Sequence, residues 1–247
     1  MVRSLYTACT GMVHQMNRLD VVTNNMANSD TTAYKKEGST SQSFDSVYGI
    51  KINDSSVNYI HQNIGRMSLG VKVGETYTDY GDGNLEETEQ LYDMALSGKG
   101  FFAISYADRN GNESVRYTRD GNFTVNSQGV LMTKDGDFVL AEDGGLINIP
   151  EGVKISVDES GRITADGQEI AQLQLVDFED YNYLEKFGEN MYIAIDGATT
   201  KDAQCKVYQG YLEASNVNVV TEMVDMITIT RDYESNQKVI QLSLIHI

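Results

Sequence analysis

The sequence predicts an α+β fold in which a long helix at each end of the chain flanks a central all-β domain. Three observations predict it: a heptad spacing of apolar residues near each terminus, and Gly-containing turns at short intervals between them. Heptad stripes favour a partner helix, so we expect the terminal helices to pair as a coiled coil. The predicted divisions are a helix and its exit (1–36), an extended connector (37–84), a central β domain (85–212) and a C-terminal helix (213–247).

The N-terminal helix is predicted from residues spaced alternately four and three positions apart. They are Leu5, Cys9, Met12, Met16, Leu19, Thr23 and Met26, of which only Thr23 is polar. A single helix of this length is marginal in water, because most helical stability in proteins comes from packing. The stripe therefore needs a partner, which is either a second helix or the surface of a globular core.

The exit of this helix is rich in asparagine. Asn24, Asn25 and Asn28 are followed by short polar residues at 29–32. Asparagine tolerates the left-handed conformation that ends helices, and short polar side chains bond to nearby backbone. We therefore expect the helix to end between residues 24 and 29 and the chain to leave it extended.

A second stripe near the C terminus supplies the partner. It comprises Met223, Met226, Thr230, Tyr233, Gln237 and Ile240, and it is widened by Val220 and Ile227. Ser215, Asn216 and Asn218 precede it as candidate N-cap residues. Residues 1–36 hold four basic and two acidic residues, whereas residues 213–241 hold two basic and five acidic ones. This difference in sign favours pairing of the two helices but fixes no register.

The region between the helices shows two kinds of pattern. Residues 37–84 have little periodicity and are predicted to be an extended connector, with ordinary strands of the central domain as the alternative. Residues 85–96 have a short apolar face and are predicted to form a helical turn or an irregular arm. From residue 101 onward, turn pairs such as Asp120-Gly121 and Asp135-Gly136 separate short alternating segments, as in an all-β domain.

Composition excludes several classes of function. The net charge of −17 argues against binding of nucleic acid or of an anionic membrane surface. No run approaches the roughly 18 apolar residues of a membrane span, and the N-terminal residues lack the apolar core of a secretory signal peptide. A disulfide between Cys9 and Cys205, the only cysteines, is not expected.

No catalytic or metal-binding pattern is present. His14, His61 and His246 lie in three different contexts and match no ligand spacing. The run Asp108–Asn112 resembles the start of a calcium loop, but Glu113 and Arg119 occupy the positions where that loop needs Gly and an acid. We therefore predict no enzymatic activity, no metal and no cofactor.

Two runs of the chain resemble the terminal signatures of the bacterial flagellar rod and hook basal-body proteins. The first comprises Leu5–Ala8, Gly11-Met12, Leu19–Asn28 and Thr31–Lys35, and the second runs from Gly210 to Lys238. In the middle of the chain, Gly100–Phe102 and Tyr117–Phe123 are similar to recurring elements of the family's β domain. One departure is Ala33, where the family often has Gly, which makes the local turn geometry uncertain.

The resemblance implies a structural subunit of the flagellar basal-body rod, which polymerises through its terminal helices into a hollow axial filament that transmits torque from motor to hook. It implies that the partners are further copies of this chain, other rod and hook proteins, and the flagellar type III export apparatus, which exports such chains without a cleaved signal peptide. The candidate assembly interface comprises Leu5, Met12, Met16, Leu19, Asn24, Asn25, Met26, Asn28, Ser215, Asn216, Met223, Met226, Ile227 and Tyr233.

Two alternatives stay open from the sequence. One is a hook-type axial protein of the same family. The other is a monomeric β-domain carbohydrate-binding protein or hydrolase with a helical clasp, which a monomer at every concentration with protease-resistant ends favours. The abruptly apolar residues 242–247 also lead us to expect a truncated chain or a foreign end.

Overall fold

The computed structural model describes residues 2–51, 62–108, 113–150, 152–188 and 190–246. Helix α1 (Val2–Ala27) and helix α2 (Val219–His246) flank a region made mostly of strands, which confirms the α+β prediction. The chain forms two compact units. The first contains residues 1–27, 37–79 and 218–247, and the second contains residues 28–36 and 80–217.

Both helices have the ends that the polar residues predict. Helix α1 ends at Ala27, inside the asparagine cluster. Helix α2 begins at Val219, and the preceding Asn218 caps it, because its side-chain oxygen accepts a hydrogen bond of 3.1 Å from the N–H of Thr221. Of the three candidate N-cap residues, Asn218 is therefore the one in use. Helix α2 continues through the apolar residues 242–246.

The first unit also contains a long β-hairpin. Its strands are β1 (Glu37–Ser43), β2 (Val47–Lys51), β3 (Gln62–Met67) and β4 (Val71–Thr78), with β1 antiparallel to β4 and β2 antiparallel to β3. The described part of the predicted connector thus forms strands, and these belong to the unit of the terminal helices. Residues 52–61 of that connector lie outside the described residues.

The second unit contains the remaining strands. They are β5 (Leu85–Glu87), β6 (Met94–Lys99), β7 (Phe101–Ala107), β8 (Glu113–Thr118), β9 (Phe123–Val125), β10 (Leu131–Thr133), β11 (Phe138–Val139), β12 (Ile155–Val157), β13 (Arg162–Ala165), β14 (Gln168–Gln172), β15 (Leu175–Phe178), β16 (Leu184–Phe187), β17 (Met191–Ala194), β18 (Thr200–Asp202), β19 (Gln204–Gln209) and β20 (Tyr211–Glu213). The largest sheet has the order β16-β17-β8-β7-β11-β10-β9, with β15 beside β7. Smaller sheets pair β12-β13-β14, β6-β19 and β5-β20.

Strand β7 organises the core of the second unit. Its first two residues, Phe101 and Phe102, point to opposite faces of the sheet and enter two separate apolar clusters. The first cluster gathers buried residues of β6, β9, β10 and β13 with Phe102, and the second joins Phe101 to Phe178 and Tyr192.

Of the two predictions for residues 85–96, the helical turn is wrong, and irregular chain is confined to residues 88–93 between two strands. Residues 85–87 form β5, and Met94 begins β6. Met94, Ala95 and Leu96 are all buried, so this part of β6 is covered on both faces. A strand covered on both faces reads as a continuous apolar run and shows no alternation. The predicted turn at residues 109–112 lies outside the described residues.

Candidate assembly site

Helices α1 and α2 pair antiparallel within the first unit. Three contacts define the register: Gly11 with Asn236, Gln15 with Asp232, and Asn25 with Glu222. The second and third are hydrogen bonds from a side-chain amide to a carboxylate, of 3.2 and 3.3 Å. Steps of four and then ten residues along α1 match equal steps along α2, so the register is continuous over the pair.

The residues that define this register are neighbours of the predicted apolar stripes. On α1 the contact is made by Gly11, Gln15 and Asn25, each one residue before Met12, Met16 and Met26. Glycine is used here because its missing side chain lets α2 approach: a Cβ at position 11 would lie only 3.1 Å from Asn236 Nδ2. These three contacts do not involve the apolar stripe itself, and the coiled coil that the stripe predicts stays a prediction.

The two stripes lie on the same side of the helix pair. Successive residues of an α-helix are about 100° apart, and stripe residues follow the contact residues by one position on both helices, as Met12 and Met16 do on α1 and Met223 does on α2. In an antiparallel pair these positions project to one side, which we call the apolar flank: Leu5, Met12, Met16, Leu19, Met26, Met223, Met226 and Tyr233. Met16 and Met223 remain about half exposed, at 51% and 49%, and the other flank residues are partly buried.

The side opposite the flank faces the hairpin. His14, one position before Gln15, is buried, and its Nε2 lies 2.8 Å from Ser41 Oγ. Thr7 donates a hydrogen bond to the carbonyl of Leu69. Burial, together with the nearby Arg18 charge, lowers the pKa of His14, which favours the neutral ring against the hairpin. Within the first unit, the hairpin thus covers one side of α1, while the apolar flank stays partly exposed.

Asn25 fastens the end of α1 to the start of the hairpin. Its side chain is buried, its Oδ1 accepts from the N–H of Glu37 at 2.9 Å, and its Nδ2 donates to the Glu37 carbonyl at 2.8 Å. An amide can satisfy both backbone groups of one residue in this way. The structure therefore gives Asn25, predicted as an assembly residue, an internal role that spacing did not indicate.

In the second unit, the exit after α1 runs beside the end of β20. The N–H of Ala33 donates to the Glu213 carbonyl at 2.7 Å, and the N–H of Lys36 donates to Asn216 Oδ1 at 2.7 Å. Asn216 also donates to the carbonyl of Gly81 at 3.2 Å. Asn216, another predicted assembly residue, is therefore part of the contact between the two signature segments.

A buried ionic cluster lies at this contact, and no local pattern in the sequence indicates it. The Glu213 carboxylate accepts from Lys35 Nζ at 2.6 Å, from the Gly83 N–H at 2.8 Å and from Arg119 Nη1 at 3.3 Å. Lys35, Arg119 and Glu213 are all buried. Arg119 also bonds to Asp82 at 2.8 Å, and Lys35 to the carbonyl of Gly81 at 2.8 Å.

Burial and mutual charge act against each other in this cluster. Burial and the nearby Arg119 charge lower the pKa of Lys35, although the Glu213 carboxylate opposes them. Burial also disfavours the charged form of Arg119, but Glu213 and Asp82 outweigh it and raise the pKa of Arg119. Charges buried at this depth are stable only while they are paired, so the cluster depends on all its members.

The remaining candidate residues lie at the surface or within turns. Asn24 is exposed on α1, and Ile227 is about half exposed on the side of α2 that points away from α1. Asn28 Oδ1 accepts from the Thr31 hydroxyl at 3.2 Å, and Ser215 Oγ accepts from the Val217 N–H at 3.3 Å. Cys9 and Cys205 are both free, and Cys9 is exposed, although a place in an apolar seam was predicted for it.

Neither a membrane helix nor a metal cluster is found among the residues that the structure describes. No helix there is long and apolar enough to cross a bilayer. In the same part of the chain, no three His, Cys, Asp or Glu residues are grouped so that they would hold a metal ion.

Comparison with known proteins gives the family. Three family models match: the flagella basal body rod protein at residues 5–35, the flagellar hook protein FlgE/F/G D1 domain at 95–165, and the flagellar basal body rod FlgEFG protein C-terminal at 208–243. The flagellar basal-body rod protein FlgG of Buchnera aphidicola from Schizaphis graminum is 32% identical, covering 98% of this chain and 96% of its own. FlgG of Bacillus subtilis is 31% identical (98% and 96%), and FlgF of Caulobacter vibrioides is 33% identical (96% and 92%). The chain therefore belongs to the family of flagellar basal-body rod proteins.

Proposed function

We propose that this chain is a structural subunit of the bacterial flagellar basal-body rod. It polymerises through its terminal helices into a hollow axial filament that transmits torque from the motor to the hook. The observation that carries the proposal is the apolar flank on helices whose sequences match the rod family models. Within the first unit, this flank stays partly open to water.

Burial of the flank provides a driving force for assembly. Met16 and Met223 are about half exposed, and the rest of the flank is partly buried. Burying an exposed methionine or leucine completely contributes roughly 1.5–3 kcal/mol, so the two half-exposed methionines and the partly buried remainder of the flank together add up to a useful association energy. Pairing in the assembled rod would draw the two helices into the coiled coil that the heptad spacing predicts.

The proposal extends to partners and location. The subunit contacts further copies of itself and other rod and hook proteins in the flagellar basal body. It reaches that place through the flagellar export apparatus without a cleaved signal peptide. Its role is structural, and we assign it no enzymatic activity. The location in the basal body rests on its relatives, which are named as flagellar basal-body rod proteins.

A second candidate is a hook-type axial protein. It is favoured by the match of residues 95–165 to a domain model that is named for the hook protein as well as for two others. Both candidates share the assembly mechanism, so the experiment below tests what they have in common.

Sedimentation over a range of concentrations tests the assembly function. We expect the full chain to form sedimenting polymers as concentration rises, and Met16→Asp to prevent them while leaving the helical content of the monomer unchanged. The matched control is Val115→Asp in β8, since Val115 is 49% exposed but lies off the helices. A chain that stays monomeric at every concentration, or a Met16→Asp variant that polymerises as well as the control, would overturn the proposal.

A further inference from the structure

The β-hairpin of the first unit is attached to α1 at three places along the helix. At the base, the Asn25 side chain holds both backbone groups of the first residue of β1. Near the start of α1, Thr7 Oγ1 donates to the carbonyl of Leu69 at 3.3 Å. Between these two places, His14 meets Ser41 of β1. Strands β1 and β4 both pack against α1, so the hairpin lies along the helix and is held at more than its base.

His14 is the one of these three α1 side chains whose charge can change near neutral pH. The amide of Asn25 and the hydroxyl of Thr7 do not titrate there, whereas histidine does. The His14 ring is only 5% exposed, and its Nε2 lies 2.8 Å from Ser41 Oγ. Its Nδ1 is also buried, and no polar atom of the described residues forms a hydrogen bond with it.

The neutral ring suits this place, and the protonated ring does not. A neutral imidazole carries a single N–H, which Ser41 can accept when the proton is on Nε2. Protonation adds a second N–H at Nδ1, and this donor would be buried without an acceptor. Burial and the nearby Arg18 charge also disfavour the charged ring, and both lower the pKa of His14. Contact with the hairpin therefore selects the neutral form.

Other charges around His14 do not reverse this preference. The charged residues to consider on the elements around it are Arg18 on α1, Asp232 and Glu234 on α2, Glu37 on β1, and Lys72 and Glu75 on β4. Arg18 is the one whose charge acts on the ring, and it lowers the pKa of His14. Asp232 binds Gln15 on the side of α1 that faces α2, and Lys72 and Glu75 are exposed.

We propose that the hairpin is a pH-sensitive strap, which lies on α1 while His14 is neutral and lifts from it when His14 is protonated. The pKa of His14 in the docked state is below the value of about 6.5 that it has in an unfolded chain. The contribution of His14 to docking is therefore complete above about pH 6.5 and is lost as the pH falls below that value. Because Asn25 does not titrate, the base of the hairpin stays attached.

Thiol labelling beneath the hairpin tests the proposal. Gly70 lies so close to Thr10 that a side chain at position 70 would collide with it. Thr10→Cys, in the full chain with Cys9→Ser and Cys205→Ser, therefore places one thiol under the hairpin. The reference is the chain with Cys205→Ser alone, whose Cys9 is exposed. The ratio of the two labelling rates in dilute protein removes the pH dependence of the thiol itself.

We expect this ratio to rise about fivefold or more between about pH 7.5 and 5.5. His14→Gln is the matched variant, since its amide is neutral at every pH and can still bond to Ser41. In that variant the ratio should stay constant within about twofold. A ratio that does not change in the parent chain, or that rises equally in His14→Gln, would overturn the proposal. A ratio near one already at pH 7.5 would also overturn it, because the hairpin would then not cover Thr10.

NMR titration of the His14 ring gives a second, independent test. The His14 signal is the one that is lost in His14→Gln, and its midpoint should lie below about 6.5. A midpoint above that value would overturn the proposal even if the labelling ratio changed, because protonation would then favour the docked hairpin.

Discussion

Ala33 sits in a backbone conformation that suits glycine. Its φ is +56°, in the left-handed region, and its side chain is buried beside the Glu213 carbonyl that it binds through its N–H. A non-glycine residue there costs roughly 1–2 kcal/mol. The departure from the family's usual Gly therefore leaves the turn formed but strained.

Ala33→Gly should stabilise the protein. Relief of the strain outweighs the extra backbone entropy of glycine in the unfolded chain, so we expect the free energy of unfolding to rise by about 0.5–1 kcal/mol in a denaturant titration. Ala95→Gly is the control, because Ala95 is equally buried in β6 without a positive φ, and it should lower the free energy of unfolding. If both variants are destabilised, the left-handed turn is not a source of strain.

Glu213 is the residue on which the buried ionic cluster depends. It faces two buried cations, so Glu213→Gln leaves Lys35 and Arg119 with only the more exposed Asp82 to compensate them. We expect a loss of about 3–5 kcal/mol in the free energy of unfolding. Glu159→Gln, which breaks the exposed pair with Lys206, should cost no more than about 1 kcal/mol. Equal losses in the two variants would contradict the role of burial.

At the scale of elements, Asn25 joins a helix to a strand. Asn25→Ala removes both hydrogen bonds to Glu37 and the one to Glu222, and we expect it to lower the free energy of unfolding by about 1–3 kcal/mol. Amide hydrogen exchange at Glu37 should speed up in the same variant, because that N–H loses its acceptor. Asn17→Ala, at an exposed position of α1, is the control and should change neither quantity by much. Unchanged exchange at Glu37 would show that the strand is held by its ladder alone.

The helices were predictable, but the register in which they pair was not. Spacing and the asparagine cluster placed α1 and its end, because both signals are local in sequence. The contact itself uses Gly11 and Gln15, whose residue types give no apolar signal. Which side of an amphipathic helix faces its neighbour depends on how closely the backbones approach, and that depends on both helices together.

The strands and the ionic cluster show a similar limit to prediction from local sequence patterns. Alternation identified half-exposed strands, but β6 begins with three buried residues and so has no alternation to detect. Lys35 and Glu213 are ordinary charged residues in the sequence, and a charged residue is taken as solvated by default. Their pairing joins segments 178 residues apart, which no local pattern encodes.

For the whole molecule, the charge and the assembly surfaces lie in different places. Helices α1 and α2 together hold four basic and five acidic residues, so nearly all of the net charge of −17 comes from the rest of the chain. Repulsion between copies thus arises mainly outside the helices, while the attraction proposed here arises within them. Salt strongly weakens the repulsion between copies, and it leaves the free energy gained by burying apolar surface almost unchanged.

Assembly should therefore increase with ionic strength. Between about 0.05 and 0.5 M sodium chloride the screening length falls severalfold, and we expect the sedimenting fraction at fixed protein concentration to rise severalfold. Sucrose of equal osmolality, which screens no charge, controls for effects of solute on the solvent. If salt instead dissolves the polymers, ion pairs between copies dominate the interface. Since burial of the apolar flank would then be secondary to the opposite charges of α1 and α2, the direction of the salt effect decides which of the two forces holds neighbouring copies together.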